Sequence, residues 1–221
     1  MKIVISGYGR MGKELEKVLS NHQLYIISKE TNLSFDEFTE NVDIIIDFSF
    51  HDVIYSISNY LERHPFTKLI IGTTNYTQQE YSIIKNISKE HTVLMSSNYS
   101  KGMNIYFDLL ELLSKYNLDN EELIINEKHH LSKLDSPSGT AKEMRKILNK
   151  NIKINSYREG DTIGEHMLEI YFKNEVLTLS HKANSRKAFV EYMNEIVDRV
   201  IDLNVGLYSL EDINIWNERK Y

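Results

Sequence analysis

No cysteine occurs in the 221 residues, so disulfides, thiolate metal sites and a cysteine nucleophile are excluded. Basic residues are in the minority: 26 Lys and Arg face 32 Asp and Glu, for a formal charge of −6. No basic face gathers along the chain, which argues against general nucleic-acid binding, because phosphate contacts need one. No apolar run approaches the roughly 20 residues of a bilayer span. The apolar run at Ile3–Ile5 is too short for a secretory signal, so a cytoplasmic protein with no membrane partner is expected. Proline/glycine/serine-rich linkers, internal repeats and low-complexity tracts are also missing.

What is present is ordinary for a globular chain: 41% hydrophobic and 26% charged residues, enough for one sizeable core or two modest ones. Ile3–Ile5 reads as a buried strand. Gly7, Gly9 and Gly12 follow it at G-x-G-x-x-G spacing, with a helical pattern from Lys13 to Leu19. Glycine at these places allows a tight turn, close backbone approach to a pyrophosphate, and close helix–strand packing. The helix N-terminus then offers N–H groups to the anion. Tyr8, Arg10 and Met11 lie within the same turn. A second strand, Leu24–Ile27, ends at Ser28, Lys29 and Glu30. Glu30 suits the ribose hydroxyls of a dinucleotide, whereas Lys29 suits a 2′-phosphate, so NADH and NADPH both stay open.

Further strands are predicted at Val42–Asp47, Lys68–Ile71 and Thr92–Met95. Helical spacing separates them at His51–His64 and after Thr77, where Thr77 and Glu80 have the form of a capping box. Alternating strands and helices imply an α/β, doubly wound parallel sheet with ligands at the carboxyl ends of its strands. Three such ends carry small polar residues: the glycine turn, Gly72-Thr73-Thr74, and Ser96-Ser97-Asn98-Tyr99. His22, His51, His64 and His91 are expected at the surface or in caps.

The boundary of this domain is expected within residues 98–104. A helix over Gly102–Tyr116 with Ile105, Leu109, Leu112 and Leu113 on its apolar face should follow, then a strand at Glu122–Ile125. Strands at His166–Phe172 and Glu175–Ser180 form a hairpin signal. A long helix is expected after Arg186. This half should be α+β with a mixed sheet.

Between these elements lies the densest polar stretch, Glu127 to Ala141. Pro137 suits a first helical turn with Ser136 as N-cap. Ser138, Gly139 and Thr140 then fall where free N–H groups receive a carboxylate or phosphate. Lys133 supplies a positive charge, and His129 or His130 can supply a proton near neutral pH. The set suits a small anionic substrate that must be protonated. Asp135 either orients Lys133 or holds the turn as an acceptor, and the second role is expected. Zinc ligation by His129, His130, His166 and His181 is disfavoured, because adjacent histidines point to opposite sides of a strand and no H-E-x-x-H helix exists. No metal is therefore expected. His166 and Arg186 fit a substrate-site role or a surface place equally well.

The pattern Glu127-x-His-His-x-x-Lys-x-Asp-x-Pro-Ser-Gly-Thr-Ala141 resembles the signature of the 4-hydroxy-tetrahydrodipicolinate reductase (dihydrodipicolinate reductase) family of the diaminopimelate route to lysine. The resemblance extends over Gly7–Gly12, Gly72–Thr74, Ser96–Ser100 with Gly102 and Asn104, Gly164–His166, and His181–Arg186. It implies NADPH or NADH across Gly7–Gly12, Gly72–Thr74 and Ser96–Tyr99. It makes His129 the catalytic acid/base and Lys133 the proton donor. His130, Gly139 and Thr140, beside Ser138, would hold the carboxylates of a small dicarboxylate. It further implies a dinucleotide-binding domain at 1–99, a substrate-binding and oligomerisation domain at 100–203, a return of 204–221 to the first domain, and a homotetramer assembled through the C-terminal sheet. The chain departs from the family in four ways: a shortened passage before Gly164, Lys29 where an acid is common, Asn75 where glycine is usual, and Lys101 at a usually apolar position. A different two-domain dehydrogenase and a non-catalytic nucleotide sensor derived from a reductase are the rival readings.

Overall fold

A computed structural model describes residues 1–213, 215 and 216; of the expected 204–221 return, residues 214 and 217–221 lie outside the described residues. The chain forms two compact units. One contains residues 1–99 and the chain from 189 onward; the other contains residues 100–188.

The first unit is a six-stranded parallel sheet made of β1 (Lys2–Ser6), β2 (Gln23–Ile27), β3 (Ile44–Asp47), β4 (Lys68–Ile71), β5 (Thr92–Met95) and, from late in the chain, β10 (Gly206–Tyr208). Its spatial order is β10-β5-β4-β3-β1-β2. Side chains alternate across a strand, and the β-branched runs therefore feed two cores. Ile3, Ile5, Ile44, Ile46, Ile70 and Leu94 face one side, with helices α1 (Arg10–Val18) and α6 (Met193–Val200). Val4, Ile45, Leu69, Ile71 and Val93 face the other, with α2 (Ile54–Arg63) and α3 (Gln78–Ile87). This is the doubly wound, Rossmann-like arrangement. The capping box of α3 is formed: Thr77 Oγ accepts from the Glu80 N–H, and the Glu80 carboxylate accepts from Thr77.

In the second unit, α4 (Lys101–Ser114) and α5 (Gly139–Leu148) cover one face of a four-stranded mixed sheet. The strands are β6 (Glu122–His129), β7 (Lys153–Arg158), β8 (Glu165–Tyr171) and β9 (Val176–Lys182), in the order β7-β6-β8-β9. β6 pairs parallel with β7, while β8 runs antiparallel to both β6 and β9. Among the described residues no helix is long and apolar enough to cross a membrane.

Several sequence expectations shift. α4 buries Met103, Tyr106, Phe107 and Leu110, while Ile105, Leu109 and Leu112 of the expected apolar stripe are exposed. The helix is apolar nearly all round, so periodicity alone offered two faces, and the two aromatic side chains carry the larger area to bury. The late helix is shorter than expected and is preceded by a 3₁₀ turn at Arg186–Phe189. It packs on Ile3 and Ile5, so the chain rejoins the first unit well before residue 204. An amphipathic helix does not state in its sequence which sheet it will cover. His91 is buried rather than superficial, with its Nδ1–H donating to the Thr67 carbonyl at 3.0 Å.

Candidate functional site

In the first unit, strand order reverses between β1 and β3, and the carboxyl ends of these strands frame a crevice. Gly7 leaves β1 with φ of +89°, and a Cβ there would lie 2.5 Å from the Phe48 carbonyl oxygen. A Cβ on Gly12 would come to 2.1 Å from the Gly7 oxygen, so α1 sits directly on the turn. At Gly9, the N-cap of α1, a Cβ would meet nothing within 4 Å. The three glycines thus divide into one for the turn, one for open approach and one for packing. A cavity of about 440 Å³ opens here, lined by Gly7–Gly9, Ser28–Glu30, Phe48 and Phe50 among others.

Of the expected cofactor residues, Gly7, Tyr8, Gly9, Lys29 and Glu30 line this cavity, whereas Arg10, Met11, Gly12, Gly72–Thr74 and Ser96–Tyr99 are not among its lining residues. Tyr8 is tied to α1 by a hydrogen bond from its hydroxyl to Glu16 at 2.5 Å, and the Glu16 carboxylate pushes the phenol upward in pKa. Arg10 is exposed and opens α1, and Met11 packs against the core. Lys29 Nζ lies 5.9 Å from the Phe50 ring centre, and Glu30 is exposed at the same rim. Gly72 meets the Phe48 ring edge-on, with no room for a Cβ. Thr73 Oγ1 accepts from the Ser49 N–H at 2.9 Å, which links the β3 and β4 ends. Thr74 precedes Asn75, whose φ of +65° is the conformation glycine favours and asparagine tolerates. Ser96 Oγ donates to the Asn98 carbonyl and accepts from the Asn98 N–H, bending the chain around Ser97. Tyr99 turns away from the crevice. Its ring lies in the core and its hydroxyl donates to the Ile71 carbonyl at 2.7 Å.

Below the crevice sits Asp47, fully buried at the end of β3. Ser49 Oγ donates to it, and the Tyr76 hydroxyl does so at 3.4 Å. Burial pushes its carboxyl above the usual range, with the hydroxyl donors opposing. Its main-chain oxygen accepts from Gly72 N and Thr73 N in the loop after β4, while its carboxylate holds Ser49 in the loop after β3. Nothing in the sequence beyond an acid at a strand end marked it.

In the second unit, β6 runs four residues further than its apolar pattern suggests. Leu123, Ile125, Glu127 and His129 are all buried on its inner face, and alternate positions are half-covered or exposed. Period-two alternation therefore delivers Glu127 and His129 to one side and leaves His130 for the other. Glu127 Oε2 accepts from His129 Nδ1–H, Oε1 from Arg158 Nη1 at 3.0 Å, and Oε1 also from the Ser138 N–H at 3.3 Å. Burial alone would push this carboxyl up; the His129 hydrogen bond, then Ser156, the His129 charge and Arg158, outweigh it and hold the group at about 2. With Nδ1 committed to Glu127, Nε2 is the atom left for proton exchange. The His129 and His166 rings meet edge-on at 5.1 Å, with His166 directly across the ladder from Glu127. His166 is buried, and burial followed by the charge of His129 pushes it down to about 3, so it stays neutral.

The expected N-cap at Ser136 is instead at Ser138. Its φ and ψ of −62° and 155° are extended, and its Oγ accepts from the Ala141 N–H at 3.2 Å. Pro137 therefore stands before the helix, and Gly139 and Thr140 form its first turn, where N–H groups have no acceptor within the helix. Lys133 Nζ pairs with Asp135 Oδ1 at 2.8 Å, so Asp135 orients the lysine rather than serving the turn alone. Burial opposes ionisation of Asp135, but Lys133 and the Gly139 N–H hold its carboxyl below the usual range. His130 is half-buried, with Nδ1 2.9 Å from Ser132 Oγ. His129, Glu127, His166, Ser138, Lys133 and Arg158 are thus tied into one network by direct contacts or short loops, and His181 lies across the ladder from His166.

Glu127, His129 and His166 also place one ligand-capable atom each within 4.8 Å of the others. Both oxygens of Glu127 already accept hydrogen bonds, and the Arg158 cation beside it opposes a second cation. The donor set suits a hydrogen-bonded network better than a metal.

Two family descriptions tile the chain: dihydrodipicolinate reductase, N-terminus, over residues 1–99, and dihydrodipicolinate reductase, C-terminus, over residues 102–213. A 4-hydroxy-tetrahydrodipicolinate reductase from Thermosipho africanus is 33% identical over 216 residues, covering 96% of this chain and 97% of the relative. One from Buchnera aphidicola is 30% identical over 263 residues, covering 96% of each. Among solved structures, a dipicolinate-bound dihydrodipicolinate reductase from Paenisporosarcina sp. TG-14 superposes with a TM-score of 0.68 at 18% identity, over 95% of this chain and 97% of the other. Aspartate dehydrogenase from Thermotoga maritima gives 0.55 at 16% identity, over 93% and 99%. Fold, length and sequence agree, and the chain belongs to the dihydrodipicolinate reductase family.

Proposed function

We propose that this protein uses NADH or NADPH to reduce 4-hydroxy-tetrahydrodipicolinate to tetrahydrodipicolinate. The observation that carries this reading is the joining of His129, Lys133 and the Ser138–Thr140 helix start into one network, in a chain matched end to end by a single reductase family. The crevice of the first unit fits a dinucleotide: Gly9 leaves its backbone open, and the N-terminus of α1 faces the place of a pyrophosphate. The nicotinamide supplies hydride when bound.

The protein's own residues do the rest. The first turn of α5, with the Thr140 hydroxyl, receives one substrate carboxylate, and His130 on the outer side of the strand end receives another. Lys133, steadied by Asp135, delivers a proton to the substrate, and His129, steadied by Glu127, acts as acid/base through Nε2. The two-carboxylate ligand named with the Paenisporosarcina structure suits this division. A relative matched over 97% of its own length in a 216-residue alignment has this chain's span, so the short passage before Gly164 does not favour a decayed sensor. A homotetramer through the second unit's sheet accompanies this reading, and light scattering coupled to size exclusion checks it.

The deciding experiment follows NADH and NADPH oxidation with substrate generated from pyruvate and aspartate semialdehyde. Turnover with either cofactor is expected. Binding of a cofactor without turnover would overturn the assignment in favour of a sensor.

A further inference from the structure

Arg158 ends β7, in register beside His129 at the end of β6. Its side chain is only 18% exposed, and its guanidinium reaches three separate stretches of chain. Nη1 donates to Glu127 Oε1 at 3.0 Å and to the Tyr157 carbonyl at 2.8 Å; Nη2 donates to the Asp135 carbonyl, and Nε lies 3.4 Å from the Lys133 carbonyl. The loop that carries Lys133 is otherwise held by main-chain hydrogen bonds from Leu131 N to the Gly160 carbonyl at 3.2 Å and from Lys133 N to the His130 carbonyl at 3.1 Å. Its apolar residues do not anchor it by burial, since Leu131 is 70% exposed and Leu134 92%.

We propose that Arg158 is a positioning residue that locks the Lys133 loop to the His129 strand, holding the two proton-handling side chains in one frame. The inference rests on the roles given above to His129 and Lys133. Two features of the geometry support it. The contacts diverge from a planar fork toward a carboxylate on one side and two loop carbonyls on the other, which an ammonium on a flexible stem cannot reproduce at once. The same cation also balances a carboxylate that is fully buried beneath His129, so the tether and the orientation of the histidine depend on one group. Misplacement of a reacting group by about 1 Å can cost on the order of 100-fold in rate, which sets the scale of the effect.

The test compares Arg158→Ala and Arg158→Lys with the wild-type protein by steady-state kinetics and by amide hydrogen exchange over residues 131–138 without substrate. In a folded Arg158→Ala protein with unchanged nucleotide affinity, kcat should fall roughly 10- to 100-fold with a smaller change in KM. Exchange in the loop should rise about tenfold, the scale of a lost hydrogen-bonded tether, and added guanidinium ion should restore part of kcat. Arg158→Lys guards against failure of the alanine variant to fold and should be folded but slowed. Unchanged kcat and unchanged loop exchange in either folded variant would overturn the proposal. So would a uniform loss of stability without a local rise in exchange. Should the wild-type protein show no reductase turnover, the functional reading fails alone, and the exchange measurement still decides the tether.

Discussion

In the first unit the crevice is made from backbone and from side chains that are missing: Gly7, Gly9 and Gly12 shape it, and the Asp47 carbonyl oxygen pins the loop after β4 at Gly72 and Thr73. In the second unit the cluster is made from ionisable side chains, and the backbone contributes a helix start and the carbonyls that receive Arg158. The contrast implies different failures. A backbone-built site breaks when atoms are added, because nothing can move aside. A side-chain site breaks when charge or reach is removed while the fold stays whole.

The largest effect should come from the second unit. His129→Gln or Lys133→Ala is expected to lower kcat by roughly 10²- to 10⁴-fold without altering NAD(P)H affinity measured by fluorescence; a near-normal kcat in either would break the division of roles. Next comes Gly12→Val in the first unit. Its side chain has no space against the Gly7 oxygen, and an overpacking cost of about 3 kcal/mol should appear as a lower urea midpoint. Gly9→Ala sharpens the same point. Its Cβ meets no protein atom, so Tm should hold within experimental error while KM for the nucleotide rises about tenfold, or ~1.4 kcal/mol. If Gly9→Ala instead lowered Tm as Gly12→Val does, the assignment of separate roles to the glycines would fail.

The last prediction concerns pH. His166 is pushed from its ordinary 6.5 to about 3 in the folded protein, so between these values the unfolded chain binds the extra proton. Stability should therefore be intact above pH 6.5 and fall on acidification by about 1.4 kcal/mol per pH unit. Glu127, held at about 2 against an ordinary 4.5, adds a loss of the same sign in the lower window from 4.5 to about 2. Denaturation midpoints across pH 7 to 2 for the wild type and His166→Asn separate the two, since the slope between 6.5 and 4.5 should flatten in the variant while the Glu127 contribution below 4.5 remains.

Much of this was legible in the sequence, for physical reasons that differ by region. Five strands alternating with helices, three of them ending in glycine or small polar residues, specify a parallel sheet and its ligand edge, and the Thr77–Glu80 box marks a helix start by local hydrogen bonding alone. The roles of Glu127 and Arg158 were not legible. β6 continues through charged residues that look like a loop, and Arg158 meets them only through strand pairing between segments some thirty residues apart. Asp135 escaped because its partner choice depends on where the helix begins, two residues later than Pro137 suggested. The exposed stripe of α4 shows the limit of periodicity when a helix has apolar residues on both faces.

The edge strand β10 and the helix α6 arrive only after the second unit is complete in sequence, although both belong to the first unit's sheet and core. On a ribosome the first unit must therefore wait. For roughly 5–20 s, the time to translate about 110 residues at ordinary rates, its β5 edge stands unpaired, and for most of that time the surface destined for Met193, Ile196 and Val197 stands bare. The second unit is contiguous and can close first. A chain cut before residue 189 should thus yield a folded second half beside an aggregation-prone first half, a vulnerability confined to synthesis and absent from the finished protein.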